Sequence, residues 1–525
     1  MDKKNILYIK TVDLTWMDVA SRLQEKYGWQ PVLWVSHTTD YIPEARKRYR
    51  DAYYYEHSDA RRGLPPKDIP GFDLAPVDAS LYEKVSGVSD VVFEMMSRFG
   101  SGKDAFSYED RKHLFLNMLR IWVAILTRLE IDIVAIASVP HRVYDFVAYL
   151  LCQELGIPYL MIEQTLLPHC SYGISSISDR SKLFRDEIGS IGEDFQLSHE
   201  TEECLRKAVQ SYDVAVPAYF QELVIKAEQR SVVRKIYDQL PSELQVIPSL
   251  INNFVRGRLF QKSNLLYFKR SNTVDSPEYA SYFRNVLEQR KINKAVQSAV
   301  RWYNKHAVKP DLKRPYIYFA AHFQPERTTC PDAWLYHDHS LIIDLLSKAL
   351  PDGWLLYYKE HPTIFRRPIR SDNPRDVRYF KRILQRDNVR LVDYQENSFT
   401  LIDNAMAVAS AVGTVLWEGV LRGKPALYFG DAWFNGCHGM FNAMKFGDCR
   451  HALDLIENGF VPDQKEVRRY VAVVEKHCKD LQWRLARDAC IKDLLKDDPD
   501  EYKRRIQLLA DVLADEYLRV NPVSG

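Results

Sequence analysis

The chain has 525 residues, 46% apolar and 27% charged, the balance of a globular protein too long for one ordinary core. Its 72 basic and 70 acidic residues leave a net charge of +2. That removes the case for wholesale nucleic-acid binding, which wants a strongly basic domain.

The opening stretch reads as strand (Asn5–Lys10), helix (Trp16–Tyr27) and strand (Pro31–Ser36), a βαβ start with no signal-peptide core before it. Residues 40–110 are polar, aromatic and irregular, with turn signals at Arg62-Gly63 and Pro65-Pro66, and read as an insertion over a sheet. A helix over Tyr108–Leu129 precedes a second βαβ unit. Its parts are a strand over Ile131–Ser138, a turn at Pro140-His141-Arg142, a helix over Val143–Leu155 stopped by Gly156, and a strand over Ile157–Ile162. The apolar window from Ile121 to Val139 carries Arg128, Glu130 and Asp132, so it does not span a membrane. A peripheral contact with a membrane surface stays open. Residues 198–307 look helical and charged.

Val308-Lys309-Pro310 and Lys313-Arg314-Pro315 mark a boundary, after which Tyr316–Ala321 begins a new α/β series. Trp354–Lys359, Asn388–Val392 and Met406–Ser410 read as further strands, with a helix over Ser340–Leu350, and residues 463–519 as charged helices. The eight cysteines are scattered with no CxxC pair, which points to reduced thiols rather than zinc or disulfides. Tyr (31) and Trp (10) are plentiful enough to line a sugar-facing cleft, although packing accounts for most of them.

The stretch Ala405–Gly430 is strand, turn, helix, strand, with Ser410-Ala411-Val412-Gly413-Thr414 at the turn. Free N–H groups and two hydroxyls at a helix N-terminus favour a phosphate. Glu418 lies one helical turn after Thr414, placed to accept from ribose hydroxyls, to pair with Arg422, or both. His361-Pro362, two residues after Lys359, follows a strand end, where a histidinium could neutralise a phosphate or protonate a leaving group. His322, Gln324, Glu326 and Arg327 follow the strand before it. Arg327 suits a phosphate or carboxylate; Glu326 could be a base, a ribose binder or Arg327's ion-pair partner. In the first half Asp13, Asp145 and Glu163 stand at strand ends. Glu163 is the first choice for the carboxylate that sugar transfer needs, Asp13 the second, and Asp145 reads as structural. His337 and His339 read as solvent-facing histidines, and Phe365–Arg370 with Arg375 and Arg378 as a solvated basic loop that could instead meet an anionic acceptor or lipid headgroups.

Together, Gln324-Pro325-Glu326, Lys359-x-His361-Pro362, the Ser410–Glu418 block and Glu163-x3-Leu167-Pro168 resemble the bacterial capsule polysaccharide biosynthesis proteins, the group that includes Kdo transferases. The resemblance covers mainly residues 130–170 and 315–435. It implies an α/β, GT-B-like fold: two Rossmann-like domains facing a cleft, with C-terminal helices. It sets residues 1–310 as an acceptor-side domain, 311–460 as a nucleotide-sugar-binding domain, and 461–525 as helices that could pack back on the first. The implied enzyme is a cytoplasmic glycosyltransferase, with the cytoplasmic face of the inner membrane open to it. Its donor is a nucleotide-sugar, CMP-sugar favoured over UDP-sugar, and its acceptor a surface polysaccharide or lipid-linked glycan. Glu163, His361 and Asp13 would be catalytic. His322, Gln324, Glu326, Arg327, Lys359, Pro362, Ser410, Gly413, Thr414 and Glu418 would hold the donor. No cofactor and no metal are expected, because cations and helix N-termini can supply the positive field. A sugar-nucleotide epimerase, a polyol-phosphate transferase, or a non-catalytic capsule assembly or export component are the alternatives on the same fold.

Overall fold

The computed structural model describes residues 3–11, 13–36, 41–99, 106–210, 242–267, 277–324, 326–366, 375–481 and 495–522. Two six-stranded sheets organise them. The first holds β1 (Lys4–Ile9), β2 (Trp29–Ser36), β3 (Tyr53–Glu56), β4 (Ile133–Ile136), β5 (Tyr159–Gln164) and β6 (Ser171–Ile174), in the order β3-β2-β1-β4-β5-β6. All its pairings are parallel except β5 with β6. A small antiparallel pair, β7 (Lys262–Tyr267) and β8 (Glu278–Ser281), follows. The second sheet holds β9 (Tyr316–Ala320), β10 (Leu355–Lys359), β11 (Val389–Leu391), β12 (Ala407–Ser410), β13 (Ala426–Tyr428) and β14 (Met440–Asn442). It is parallel throughout, in the order β11-β10-β9-β12-β13-β14. The α/β class expected from the alternating pattern is therefore present, twice over and with the same winding.

The central strands are apolar on both faces because helices cover both. In β9, Ile317 and Phe319 face one core and Tyr316 and Tyr318 the other. The helix Tyr282–His306 lies under β10 and β11. Its buried Tyr303 donates to Val392 O at 2.6 Å and accepts from Glu360 N at 3.2 Å. In the first sheet, Gly28 (φ 73°) and Gly156 (φ 69°) end the helices Leu14–Tyr27 and Tyr144–Leu155 in the left-handed conformation that lets the chain turn into the next strand. The last helix, Pro499–Val520, packs on the helix Leu14–Tyr27 and on β5 and β6, through Leu509 and Leu513.

Two stretches differ from expectation. Residues 40–110 are not only an insertion, since Tyr53–Glu56 forms the edge strand β3 beside β2. Residues 198–307 contain the β7–β8 pair as well as helices. β3 and β8 have four residues each, too few for an alternating pattern to stand out in the sequence. Among the described residues no helix is long and apolar enough to cross a membrane.

The helix Thr414–Leu421 lies against β12 at Gly419, where an added Cβ would come within 2.5 Å of Val408 Cγ2. Gly419→Ala is expected to destabilise the protein by about 1–3 kcal/mol through overpacking, outweighing the ~1 kcal/mol of helix propensity that alanine adds. A urea unfolding series of the two proteins measures the difference.

Candidate functional site

In the second sheet the chain winds from β9 through β10 to β11, then crosses back to β12 on the other side of β9. Connections leave β9 and β12 in opposite directions, which opens a crevice at the carboxyl ends of these two strands. His322 lies just past β9, Ser410 ends β12, and Gly413 and Thr414 begin the helix that follows.

His322 ties the two strand ends together. Its Nε2 accepts from Val412 N at 3.1 Å and lies 3.1 Å from Ser410 Oγ, whose hydroxyl also reaches Ala320 O at 2.8 Å. An imidazole nitrogen that accepts an amide proton carries none of its own, so the ring is neutral with its hydrogen on Nδ1. Burial pushes the ring's pKa down to about 3, with further lowering from the neighbouring His361 and Arg375. Gly413 fits this turn because a Cβ there would stand 2.8 Å from Ser410 Oγ. The helix Thr414–Leu421 has no side-chain cap at its N-terminus. Its first N–H groups thus stand at the crevice, with the dipole's positive end behind them.

Lys359 enters from the end of β10. It is buried, and its Nζ donates to Ser398 Oγ at 2.7 Å. Burial brings its pKa down to about 8, against the pull of Glu396, Glu418 and Asp393. Glu418 accepts from Thr414 Oγ1 at 3.0 Å, and burial raises its carboxyl above the usual range. Arg422, one of its expected partners, forms its ion pair with Asp403 instead. Pro362 opens the short helix Pro362–Arg366, where a missing N–H costs nothing. His361 precedes it, and its Nδ1 accepts from Thr363 N at 3.2 Å, so the ring hydrogen of the neutral form sits on Nε2. Its ring lies 6.0 Å from that of Phe323.

Behind these groups is a buried polar cluster that the sequence reading missed. Arg375 Nη2 donates to Gln324 Oε1 and to His339 Nδ1, both at 2.8 Å, its Nη1 donates to Tyr358 OH at 2.8 Å, and its Nε stands 3.4 Å from Glu360 Oε2. Gln324 in turn donates to His337 O. Arg375, expected on a solvated loop, is therefore buried, and Arg378 pairs with Asp376 at the surface. Residues 367–370 of that loop, and Pro325, lie outside the described residues. His337 and His339 are buried too; His337 Nε2 meets Asp90 Oδ2 at 3.0 Å. Arg375 is buried for a physical reason: Glu360 and Gln324 offer acceptors inside the fold, and a guanidinium with several acceptors is stable there.

Loops at the carboxyl ends of the two sheets meet at a ring of four charges. Arg327 Nη1 and Nη2 donate to the two oxygens of Glu163 at 3.2 and 3.3 Å. Arg327 Nε lies 3.4 Å from Asp332 Oδ2, Arg180 Nη2 donates to Asp332 Oδ1 at 2.5 Å, and Arg180 Nη1 stands 3.7 Å from Glu163 Oε2. Glu163, Arg180 and Asp332 are at most 6% exposed, Arg327 33%. Arg327's carboxylate partners are thus Glu163 and Asp332, while Glu326 is exposed and its main chain holds the turn: its carbonyl accepts from Thr329 Oγ1 at 2.9 Å and from Arg98 Nη2 at 2.8 Å. Asp13 caps the helix Leu14–Tyr27 by accepting from Trp16 N at 2.9 Å. Asp145 is buried against Lys10 Nζ at 2.5 Å and accepts from Arg142 N at 2.6 Å, the structural pairing expected of it. Among the described residues no group of three or more His, Cys, Asp or Glu is placed to hold a metal ion.

The sequence matches no protein-family profile and no curated protein. Among solved structures it is similar to a glycosyltransferase from Rickettsia africae, at 12% identity over 95% of this chain and 100% of that one, with a TM-score of 0.25. It is also similar to the UDP-GlcNAc 2-epimerase of Methanocaldococcus jannaschii, at 10% identity over 90% and 100%, TM-score 0.22. The beta Kdo 2,7 transferase KpsC of Thermosulfurimonas dismutans is 9% identical over 64% of this chain and 80% of that one, TM-score 0.24. The α/β assignment rests on the two sheets themselves.

The neutral state of His322 sets a pH dependence. The ordinary histidine pKa is about 6.5 in the unfolded chain, and the folded value is lowered to about 3. The unfolded ring therefore gains a proton first, and stability contributed by the neutral ring is lost as pH falls from that ordinary value toward the folded one. The loss from this group is about 2 kcal/mol between neutrality and about pH 5. His322→Gln should show a smaller loss over the same interval; equal losses in urea unfolding would contradict the assignment.

Proposed function

We propose that this chain is a glycosyltransferase that moves a sugar from a nucleotide donor to a surface polysaccharide or lipid-linked glycan. A CMP-sugar carrying Kdo or another nonulosonate is the first donor to try. The observation that supports this reading is the uncapped N-terminus of the helix Thr414–Leu421, held at the β9–β12 crevice by His322, Ser410 and Val412. A helix end with spare N–H groups at the winding reversal of a parallel sheet is suited to an ester phosphate.

In this reading residues 311–460 hold the donor, residues 1–310 receive the acceptor, and residues 461–525 brace the first part. Ser410, Gly413 and Thr414 present hydroxyl and N–H groups to the phosphate, with His322, Gln324 and Pro362 keeping the surrounding turns in shape. Lys359 and Arg327 supply positive charge, and His361 offers its Nε2 hydrogen, as the phosphate leaves with the bonding electron pair. Glu418, and Glu326 from its exposed turn, take the ribose hydroxyls. The acceptor hydroxyl attacks the anomeric carbon and gives its proton to a carboxylate, Glu163 first and Asp13 second. Glu163 also orients Arg327, which joins the acceptor side to the donor side in one ion pair.

Thermal unfolding with CMP, UDP and their sugars is the first experiment, and stabilisation by at least one of them is expected; none with any nucleotide would sink the reading. His361→Ala is expected to lower turnover by about 10²–10⁴-fold without changing the unfolding temperature of the unliganded protein. A free epimerised nucleotide sugar, formed with no acceptor, would reassign the chemistry to an epimerase on the same fold.

Lys359 adds a pH signature to donor binding. Its pKa is about 8, so it is charged below that pH and neutral above it. Nucleotide affinity is expected to weaken as pH rises through that value, and Lys359→Met should bind more weakly throughout and lose this step. Titration by calorimetry across the range reads both.

A further inference from the structure

The helix Ser242–Val255 turns apolar side chains toward water. Ile247 is 45% exposed, Ile251 57%, Phe254 70% and Val255 78%. A spacing of four, seven and eight residues from Ile247 puts them on one helix face. Phe260, 81% exposed, follows in the turn after the helix. That turn is tied to the start of the helix Tyr282–His306, where Tyr282 N donates to Gln261 O at 3.0 Å and Phe283 N to Leu259 O at 2.9 Å. The tie brings the exposed Phe283 next to the same patch. From Leu244 to Lys262 the chain carries Arg256, Arg258 and Lys262 and no acidic residue. All three basic residues are exposed.

Contiguous apolar surface of this kind marks a contact with another phase or molecule. We infer that this face docks on an anionic lipid bilayer, with Ile251, Phe254, Val255 and Phe260 entering the interface and Arg256, Arg258 and Lys262 meeting headgroup phosphates. An amphipathic helix with aromatic residues on one face and bordering cations is the sequence form that lies in a membrane surface. A second copy of the chain fits less well. A two-fold contact through this face would bring the three cations close to their own copies, with no carboxylate in the segment to offset them. The lipid contact stands apart from the nucleotide reading, since it uses none of the residues assigned to the donor.

The experiment is flotation of the full chain with vesicles of phosphatidylcholine, alone or mixed equally with phosphatidylglycerol. Binding is expected to the anionic vesicles only, and to fall as salt is added. Phe254→Ser combined with Phe260→Ser should lower the bound fraction about tenfold or more, and Arg256→Gln combined with Arg258→Gln about fivefold for each arginine removed. These side chains are exposed, so the variants should keep the wild-type circular dichroism and nucleotide response. Equal flotation on neutral and anionic vesicles, or wild-type flotation of the phenylalanine variant, would overturn the proposal. So would a dimer in light scattering that this variant dissociates, with no vesicle binding by the wild type.

Discussion

His322 Nε2 accepts the amide proton of Val412 only while the imidazole is uncharged, and the geometry of the crevice follows from that bond. It joins the loop after β9 to the turn after β12, across the point where the winding of the second sheet reverses. Without it, the turn Ser410–Thr414 would keep its Ser410–Ala320 and Phe429–Ala411 hydrogen bonds but lose its tie to the loop after β9. A helix N-terminus attracts an anion only within its first turn, so small displacements of this turn would weaken the field at the crevice. Burial keeps the ring neutral, and the nearby Arg375 guanidinium reinforces burial.

The second constraint is the ring formed by Glu163, Arg180, Arg327 and Asp332. Desolvating four charges costs several kcal/mol per ion, offset only when each has close opposite partners. Here each charge has two opposite neighbours, at distances from 2.5 to 3.7 Å. Such a ring contributes little net stability but fixes register, because a shift of either loop leaves a buried ion unpaired. It therefore aligns the carboxyl edge of the first sheet with that of the second. Arg98, donating to His141 O on one side and to Glu326 O and Cys330 O on the other, ties the same two edges.

Much of the frame could be read in the sequence because it is local. Apolar runs such as Ile6–Ile9 and Tyr316–Phe319, bounded by turn formers, are buried strands wherever the chain places them. His361-Pro362 and Ser410–Thr414 announced turns through proline and small residues, and the structure has turns there, with Pro362 in the first helical position and Gly413 just before a helix. Arg375 shows where this kind of reading stops. Its neighbours Arg367, Arg370 and Arg378 describe a hydrophilic loop, yet its guanidinium is buried among Gln324, His339 and Tyr358. Tyr379, four residues on, is one acceptor, but Tyr358, His339 and Gln324 lie 17, 36 and 51 positions away, beyond any local pattern.

What the sequence determined alone is most of the strands and helices, β3, β7 and β8 excepted, since hydrophobic period, caps and turn residues act over a few positions. It also determined which polar residues would stand at strand ends. The tertiary structure decided which of those residues meet. Glu163 and Arg327 are 164 positions apart and Arg180 and Asp332 152, and no local pattern couples charges at such separations. Only the closure of two sheets, edge to edge, brings them within reach and excludes the water that would otherwise screen them.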